Sequence, residues 1–472
     1  MVGFKSGNPV RLQGLRNEAY NGKLALVKSL TADENTGRFL VELHEGEMAP
    51  HLNREVNVKP ENLVRACNSC HLTGAATMQY CGKCRNAAYC NAECQRSDWK
   101  RHKVYCSGMN TQRQITKSPL FLAAARGNLA EIKNLVRGGA DVNKALKQGG
   151  STLLHVAAAS GHLTVVQYLV QQGAEPNKTS DDNSTPLVAA AQLGHLSVVQ
   201  YLVQQGADKN TTGNHKVTPL YYAAQEGHLT VVQYLVQQGA DKDKAEINDA
   251  TPLFIAARRG YLDVVHCLVQ QGADKNKADN HGTAPLWIAA QEGQLAVVQY
   301  LVQQGAQKDK ADNDDATPLY IAAQNGHVAV VQCLVQHGAD KNKATTCDTT
   351  PLSIATGNGH LAVVQYLVQQ GADKEKASDD GFTPLHMAAQ NCLMDLVQYL
   401  VQQGADMDKG TNTGSTPLYI AAQQGHLAVV QYLVQQGADK NKATNNGAAP
   451  LFIAARQGHL AVADYLREQG AV

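Results

Sequence analysis

Residues Thr218 to Ala245 read "TPLYYAAQEGHLTVVQYLVQQGADKDKA", and nearly the same words return along most of the chain. The unit carries its own punctuation. Thr218 is placed to cap a helix through its hydroxyl, and Pro219 suits the first turn, where its missing N–H would have no partner. A short helix then runs to Gly227, where a left-handed residue costs glycine almost nothing. A second helix follows, with Leu229, Val232, Leu235 and Val236 expected on its apolar face, and it stops at Gly239. Two short antiparallel helices and a polar loop bury little alone, so the unit gains stability by stacking on its neighbours.

Aligning on the leucine of "TPL" places the copies at Leu120, Leu154, Leu187, Leu220, Leu253, Leu286, Leu319, Leu352, Leu385, Leu418 and Leu451. That makes eleven repeats over residues 118–472, with one step of 34 residues and nine of 33. A period of this length signals a repeat architecture. The pattern "T-P-L-x-x-A-A-x-x-G-H-L" followed by "G-A-D" closely resembles the ankyrin repeat. The resemblance implies a mainly α solenoid of helix pairs with hairpin loops, which takes a protein partner on its concave side.

Ahead of the repeats lies a different composition. Seven of the 11 cysteines fall between Cys67 and Cys106. With His102 they form four pairs: Cys67/Cys70, Cys81/Cys84, Cys90/Cys94 and His102/Cys106. Zinc takes four such ligands in a tetrahedron, and the C-x2-C turns present thiolates in pairs. Eight ligands make two closed sites with no open position for water, so both read as structural. Spacing alone leaves three ways of dividing the pairs between the two sites. His71 is set aside, because its adjacency to Cys70 makes joint coordination awkward.

The ligand order, with Tyr89 before Cys90, Gln95 directly after Cys94 and Trp99 three residues before His102, resembles the MYND zinc finger. That resemblance implies an interleaved pair of sites. Cys67, Cys70, Cys90 and Cys94 would bind one zinc, and Cys81, Cys84, His102 and Cys106 the other. It also implies a protein-docking module whose groove, at Gln95 and Trp99, takes short proline-containing peptides. A rival reading points to Arg96, Lys100, Arg101 and Lys103 as a nucleic-acid contact. That would make the protein a transcriptional regulator acting through the finger. The commoner meaning of such a run is a solvated basic helix, and no aromatic platform accompanies it.

In residues 1–64 the stretches "PVRLQGL", "LALVKSL", "GRFLVEL" and "EVNVKPENL" are short β-like runs separated by turn residues. They predict a small β barrel, similar to the SH3-like modules beside MYND fingers in some protist and algal proteins. Residues 107–117 read as a linker. Forty-two Lys and Arg against 41 Asp and Glu leave a net charge of +1. That balance gives no electrostatic reason to expect nucleic acid or an anionic membrane as main partner. No apolar run of signal-peptide or membrane-span length is present, which predicts an intracellular protein, cytoplasmic or nuclear. MYND fingers also occur inserted in lysine methyltransferases. Here the finger leads straight to the repeats, so the expectation is a non-enzymatic adaptor.

Within the array, positions that vary between copies mark candidate contacts. They include the pairs after "AA": Ala125 and Arg126, Gln192 and Leu193, Gln225 and Glu226, Arg258 and Arg259, Gln291 and Glu292, Arg456 and Gln457. The loop tips "EINDA", "DNHGT", "SDDGF" and "TNTGS" vary as well. The residue after "TPL", such as His155, Tyr221, Trp287 or His386, reads as an inter-repeat packing ladder, and the "GH" histidines read as structural. Repeats eight ("LSIATGNGH") and nine ("MAAQNCLMD") break the pattern at Thr356, Gly357, Cys392 and Leu393. They are the expected weak point.

Overall fold

A computed structural model describes residues 118–472 apart from Gln148, Asn214 and His215, and, before them, the backbone of seven short strands. The chain divides into two compact units, Met1–Leu153 and Leu154–Val472.

In the first unit the strands β1 (Pro9–Leu12), β2 (Leu24–Val27), β3 (Phe39–Leu43), β4 (Glu55–Val58) and β5 (Leu63–Arg65) form one sheet in the order β4-β3-β2-β1-β5. Every pairing is antiparallel; Val10 faces both Ala25 and Arg65, and Val41 faces both Val27 and Val56. Strands β1 to β4 lie where the four β-like runs were read, whereas β5 shares only Leu63 with the last run and reaches Arg65, just past the expected boundary. Closing a sheet into a barrel requires its two edge strands to pair. Among the described residues nothing joins β4 to β5, so the description here is a five-stranded sheet and not a barrel. A two-stranded hairpin follows, β6 (Gln79–Tyr80) with β7 (Ala88–Tyr89). The first repeat closes this unit with helices Pro119–Arg126 and Leu129–Arg137.

The second unit is a stack of helix pairs, one pair per repeat. Repeat four has helices Pro219–Gln225 and Leu229–Gln237. The Thr218 hydroxyl accepts the N–H of Tyr221 at 3.1 Å, the cap expected from the sequence. Gly227 and Gly239 sit at φ +76° and +78°, the left-handed turns that end the two helices. The first helices of successive repeats lie side by side, with Ala223 and Ala224 fully buried between them. Small side chains suit this close approach of two helices. The second helix buries Val231, Val232 and Leu235, whereas Leu229 and Val236 are half-exposed. The expected stripe therefore turns toward Val231, because this helix packs on its own partner helix and on both neighbouring repeats at once.

Candidate protein-interaction site

Three hydrogen-bond ladders tie the repeats of the second unit together, and they determine which residues remain for a partner. The first uses the "GH" histidines. His195 Nε2 donates to the Ala159 carbonyl at 3.0 Å, His228 to Gln192 at 3.0 Å, His327 to Gln291 at 2.9 Å and His360 to Gln324 at 2.9 Å. A carbonyl only accepts, so each ring carries its proton on Nε2.

The second ladder runs through the loops. The backbone N–H of Asp241 donates to Asn210 Oδ1 at 2.9 Å, that of Asp274 to Asp243 at 3.0 Å, and that of Asp340 to Asp309 at 2.9 Å. Lysines reinforce it: Lys244 Nζ donates to the Asn210 carbonyl at 2.9 Å and Lys277 to that of Asp243 at 2.7 Å. The sequence did carry a signal for this. The acceptor position holds Asn, Asp or Glu in copy after copy, from Asn210 and Asp243 to Glu375, so a side-chain oxygen is always present.

The third ladder is the residue after "TPL". His155 Nε2 donates to Ser184 O at 2.8 Å, Trp287 Nε1 to Ala316 O at 2.8 Å, and His386 Nε2 to Ser415 O at 3.0 Å. Burial lowers the pKa of both histidines, that of His386 to about 4. These are stacking residues, as expected.

What remains exposed is the row after "AA". Leu193 is 52% exposed, and Glu226, Arg259 and Glu292 are exposed in register with it. Arg258 Nε meets Glu292 Oε1 at 3.3 Å across a repeat boundary, an exposed pair worth at most about 1 kcal/mol. In repeats seven to nine the row is engaged. Asn325, Asn358 and Asn391 donate Nδ2 to the carbonyls of Gln291, Gln324 and Gly357 at 3.1, 2.8 and 2.9 Å. Leu193, Glu226, Arg259 and Glu292, in repeats three to six, form the chemically varied part of the row, with Glu292 paired to Arg258 and Glu226 accepting from the Gln225 amide. Successive loop tips are tied through their backbones, as where Asn313 N–H donates to His281 O at 3.0 Å, and at Asn313, Asn412 and Asn445 through the side-chain amide as well.

The other expected site residues, Cys67, Cys70, Cys81, Cys84, Cys90, Cys94, His102 and Cys106 with Gln95 and Trp99, lie outside the described residues, as do Arg96, Lys100, Arg101 and Lys103. The antiparallel β6–β7 hairpin runs directly into two of them in sequence, Cys81 after Tyr80 and Cys90 after Tyr89. Seven thiols and one imidazole are a donor set that suits zinc and little else of biological abundance. Among the described residues Cys267, Cys333, Cys347 and Cys392 are free, and no cluster of metal-ligating side chains forms. No described helix is long and apolar enough to cross a membrane.

Helix pairs bound by these ladders define a helical repeat protein. A family model for ankyrin repeats in three copies matches residues 100–180, 172–246, 238–312, 319–411 and 385–472, and the chain belongs to the ankyrin-repeat family. A second model, the MYND finger, matches residues 67–106, which implies zinc binding there. SET domain-containing protein 14 of Caenorhabditis elegans is 45% identical over 56 residues, 12% of this chain and 13% of that protein. N-lysine methyltransferase SMYD2-A of Danio rerio is 52% identical over 40 residues, 8% and 9% of the two chains. Ubiquitin carboxyl-terminal hydrolase 19 of Arabidopsis thaliana is 44% identical over 71 residues, 14% and 10%. The chain thus spans about a tenth of the length of these curated relatives. Among solved structures, that of the human ASB11 ankyrin repeat domain aligns with a TM-score of 0.43 at 26% identity, over 47% of this chain and 99% of that one.

Proposed function

We propose that this protein is an intracellular, non-enzymatic scaffold in which the repeat array holds one protein and the zinc finger docks a proline-containing segment of another. The observation that carries the reading is the division of labour in the array. Repetition confines stacking to the ladders and the buried alanines, while an exposed row in repeats three to six changes from Leu193 to Glu226, Arg259 and Glu292. A surface that varies over an invariant frame is what recognition of one particular partner requires. Tethering two such contacts on one chain raises effective concentration, so two weak contacts give useful avidity.

In the finger, two zinc ions would be held by Cys67, Cys70, Cys90 and Cys94, and by Cys81, Cys84, His102 and Cys106. The metal supplies a structural crosslink. A segment of about 40 residues has too little core to fold without one. Trp99 and Gln95 would hold the peptide, with the indole packing on proline rings and the amide bonding an extended backbone.

Crosslinking of the intact chain in cells tests the scaffold. Leu193→Ser with Glu226→Lys should lose one set of partners and Trp99→Ala another, each leaving the other set in place. Trp99→Ala should also retain the full zinc content. Loss of all partners in either variant, or of none, would overturn the two-contact reading.

A further inference from the structure

Second helices of most repeats carry a tyrosine in one register position, among them Tyr201, Tyr234, Tyr300, Tyr366 and Tyr399. Its ring leans on the second helix of the preceding repeat. The Tyr234 hydroxyl donates to the Gln200 carbonyl at 3.4 Å and that of Tyr399 to Gln365 at 3.2 Å, each 34 residues back. The Tyr300 ring lies 5.0 Å from that of His266, the residue at the same offset.

Repeats five and seven replace this tyrosine by Cys267 and Cys333. In repeat seven the vacated space is covered. His337 swings over the thiol, with Nδ1 3.8 Å from Cys333 Sγ and 2.8 Å from the Cys333 carbonyl, and Cys333 is buried. Repeat five has Gln271 where repeat seven has His337, and there the space stays open. A solvent-open cavity of about 230 Å³ lies on the surface between helices Leu229–Gln237 and Leu262–Gln270, lined by the exposed Gln233, Gln237, Asp263 and His266 and the half-buried Cys267 among others. Gln233 is the register counterpart of Gln200 and Gln365, the residues whose carbonyls take a tyrosine hydroxyl elsewhere.

We infer that this cavity is a binding site for a small para-substituted phenol, its ring standing in for the missing tyrosyl ring and its hydroxyl donating to the Gln233 carbonyl. The lining selects for a neutral ligand. Three of the named groups are uncharged amides or a thiol, burial pushes the Cys267 thiol up so that it stays protonated, and the one carboxylate, Asp263, repels anions. His266, which also lines the site, is held by Tyr300 and by the Gln270 amide at 3.2 Å.

The test is titration of the full chain with p-cresol, the tyrosine side chain as a free molecule, by saturation-transfer NMR. A ligand of this size should bind with a dissociation constant of about 1 mM or tighter. Cys267→Tyr restores the residue found in most other copies and should abolish binding while raising the melting temperature. Toluene, which has the ring without the hydroxyl, should bind about tenfold more weakly. N-acetyl-tyrosinamide distinguishes the sources. Equal affinity would assign the cavity to a tyrosine presented by a peptide, and at least tenfold weaker binding to a free phenol. Binding undiminished in Cys267→Tyr, toluene as good as p-cresol, or no p-cresol binding at 10-fold above ~1 mM would each overturn the inference.

Discussion

The imidazole of His195 lies where a β-carbon on Gly161 would stand: a carbon built there would be 2.6 Å from Nδ1. Gly161 is also at φ +74°, so two independent constraints require glycine there. The same pairing recurs between Gly194 and His228, between Gly326 and His360, and between Gly425 and His459. It lapses at Gly359, where Leu393 replaces the histidine and a β-carbon would meet only Cδ2 at 3.4 Å.

Gly161→Ala and Gly359→Ala should therefore differ. Both lose about 1–2 kcal/mol to the left-handed backbone. Only the first also displaces a histidine ring and its bond to Ala159, adding about 1–3 kcal/mol. Urea unfolding of the two variants checks this, and equal losses would show that the ring moves aside without cost.

Repeats eight and nine should open first. Cys392 is held at φ +57°, and the preceding carbonyl ladder has lost its histidine at Leu393. The structure repairs part of the defect. Thr356, though fully buried, donates its hydroxyl to the Leu352 carbonyl at 2.8 Å, and Asn391 still bonds Gly357. Hydrogen exchange should be faster over residues 350–400 than in repeats four to six. Cys392→Gly should slow it and add about 1 kcal/mol of stability. Uniform protection along the array would mean that neighbouring repeats compensate fully.

His386 should make stability depend on pH. Burial holds its pKa at about 4 in the folded protein, against an ordinary value of 6.5. Geometry agrees, since Nε2 donates to Ser415 O while Nδ1 accepts from the Thr383 N–H at 3.2 Å and faces its hydroxyl at 2.7 Å. A second proton on Nδ1 would set two donors against each other. Between about pH 6.5 and 4 the unfolded chain binds a proton that the folded one refuses, so stability falls as pH falls through that window. The loss is roughly 3 kcal/mol at most. His386→Phe, matching Phe254 in repeat five, should flatten this part of a denaturation series from pH 7.5 to 4.5. An unchanged slope would place the effect elsewhere.

Metal analysis of the intact chain should find about two zinc ions, because the finger offers eight ligands and each closed site takes four. Cys81→Ser should lose one ion and keep the other. A chelator should remove both while the helical circular dichroism of the array persists, since no repeat depends on the metal for its packing. One ion or none in the unaltered chain would refute the two-site assignment.

Repetition made the sequence unusually legible. Period, helix pairs, threonine caps and left-handed glycines were all readable at Thr218, Pro219, Gly227 and Gly239, because each depends on residues close along the chain. The β-like runs were readable for the same reason, although pairing of the sheet's edges was not. Tertiary structure alone decided what depends on the neighbour 29 to 36 residues away. That includes the turn of the buried stripe to Val231, the histidine rings over the glycines, the engagement of Asn325, Asn358 and Asn391, and the depressed pKa of His386. The contrast between Cys267 and Cys333 shows the difference most plainly. Both are the same substitution at the same register position, yet Cys267 stays half-buried beside a cavity and Cys333 is buried, because a histidine four residues on covers only the second. Side-chain periodicity specifies which face of a helix is buried. Whether the space beside it is filled depends on the rotamers of the neighbouring helix, and those are settled only when the repeats pack.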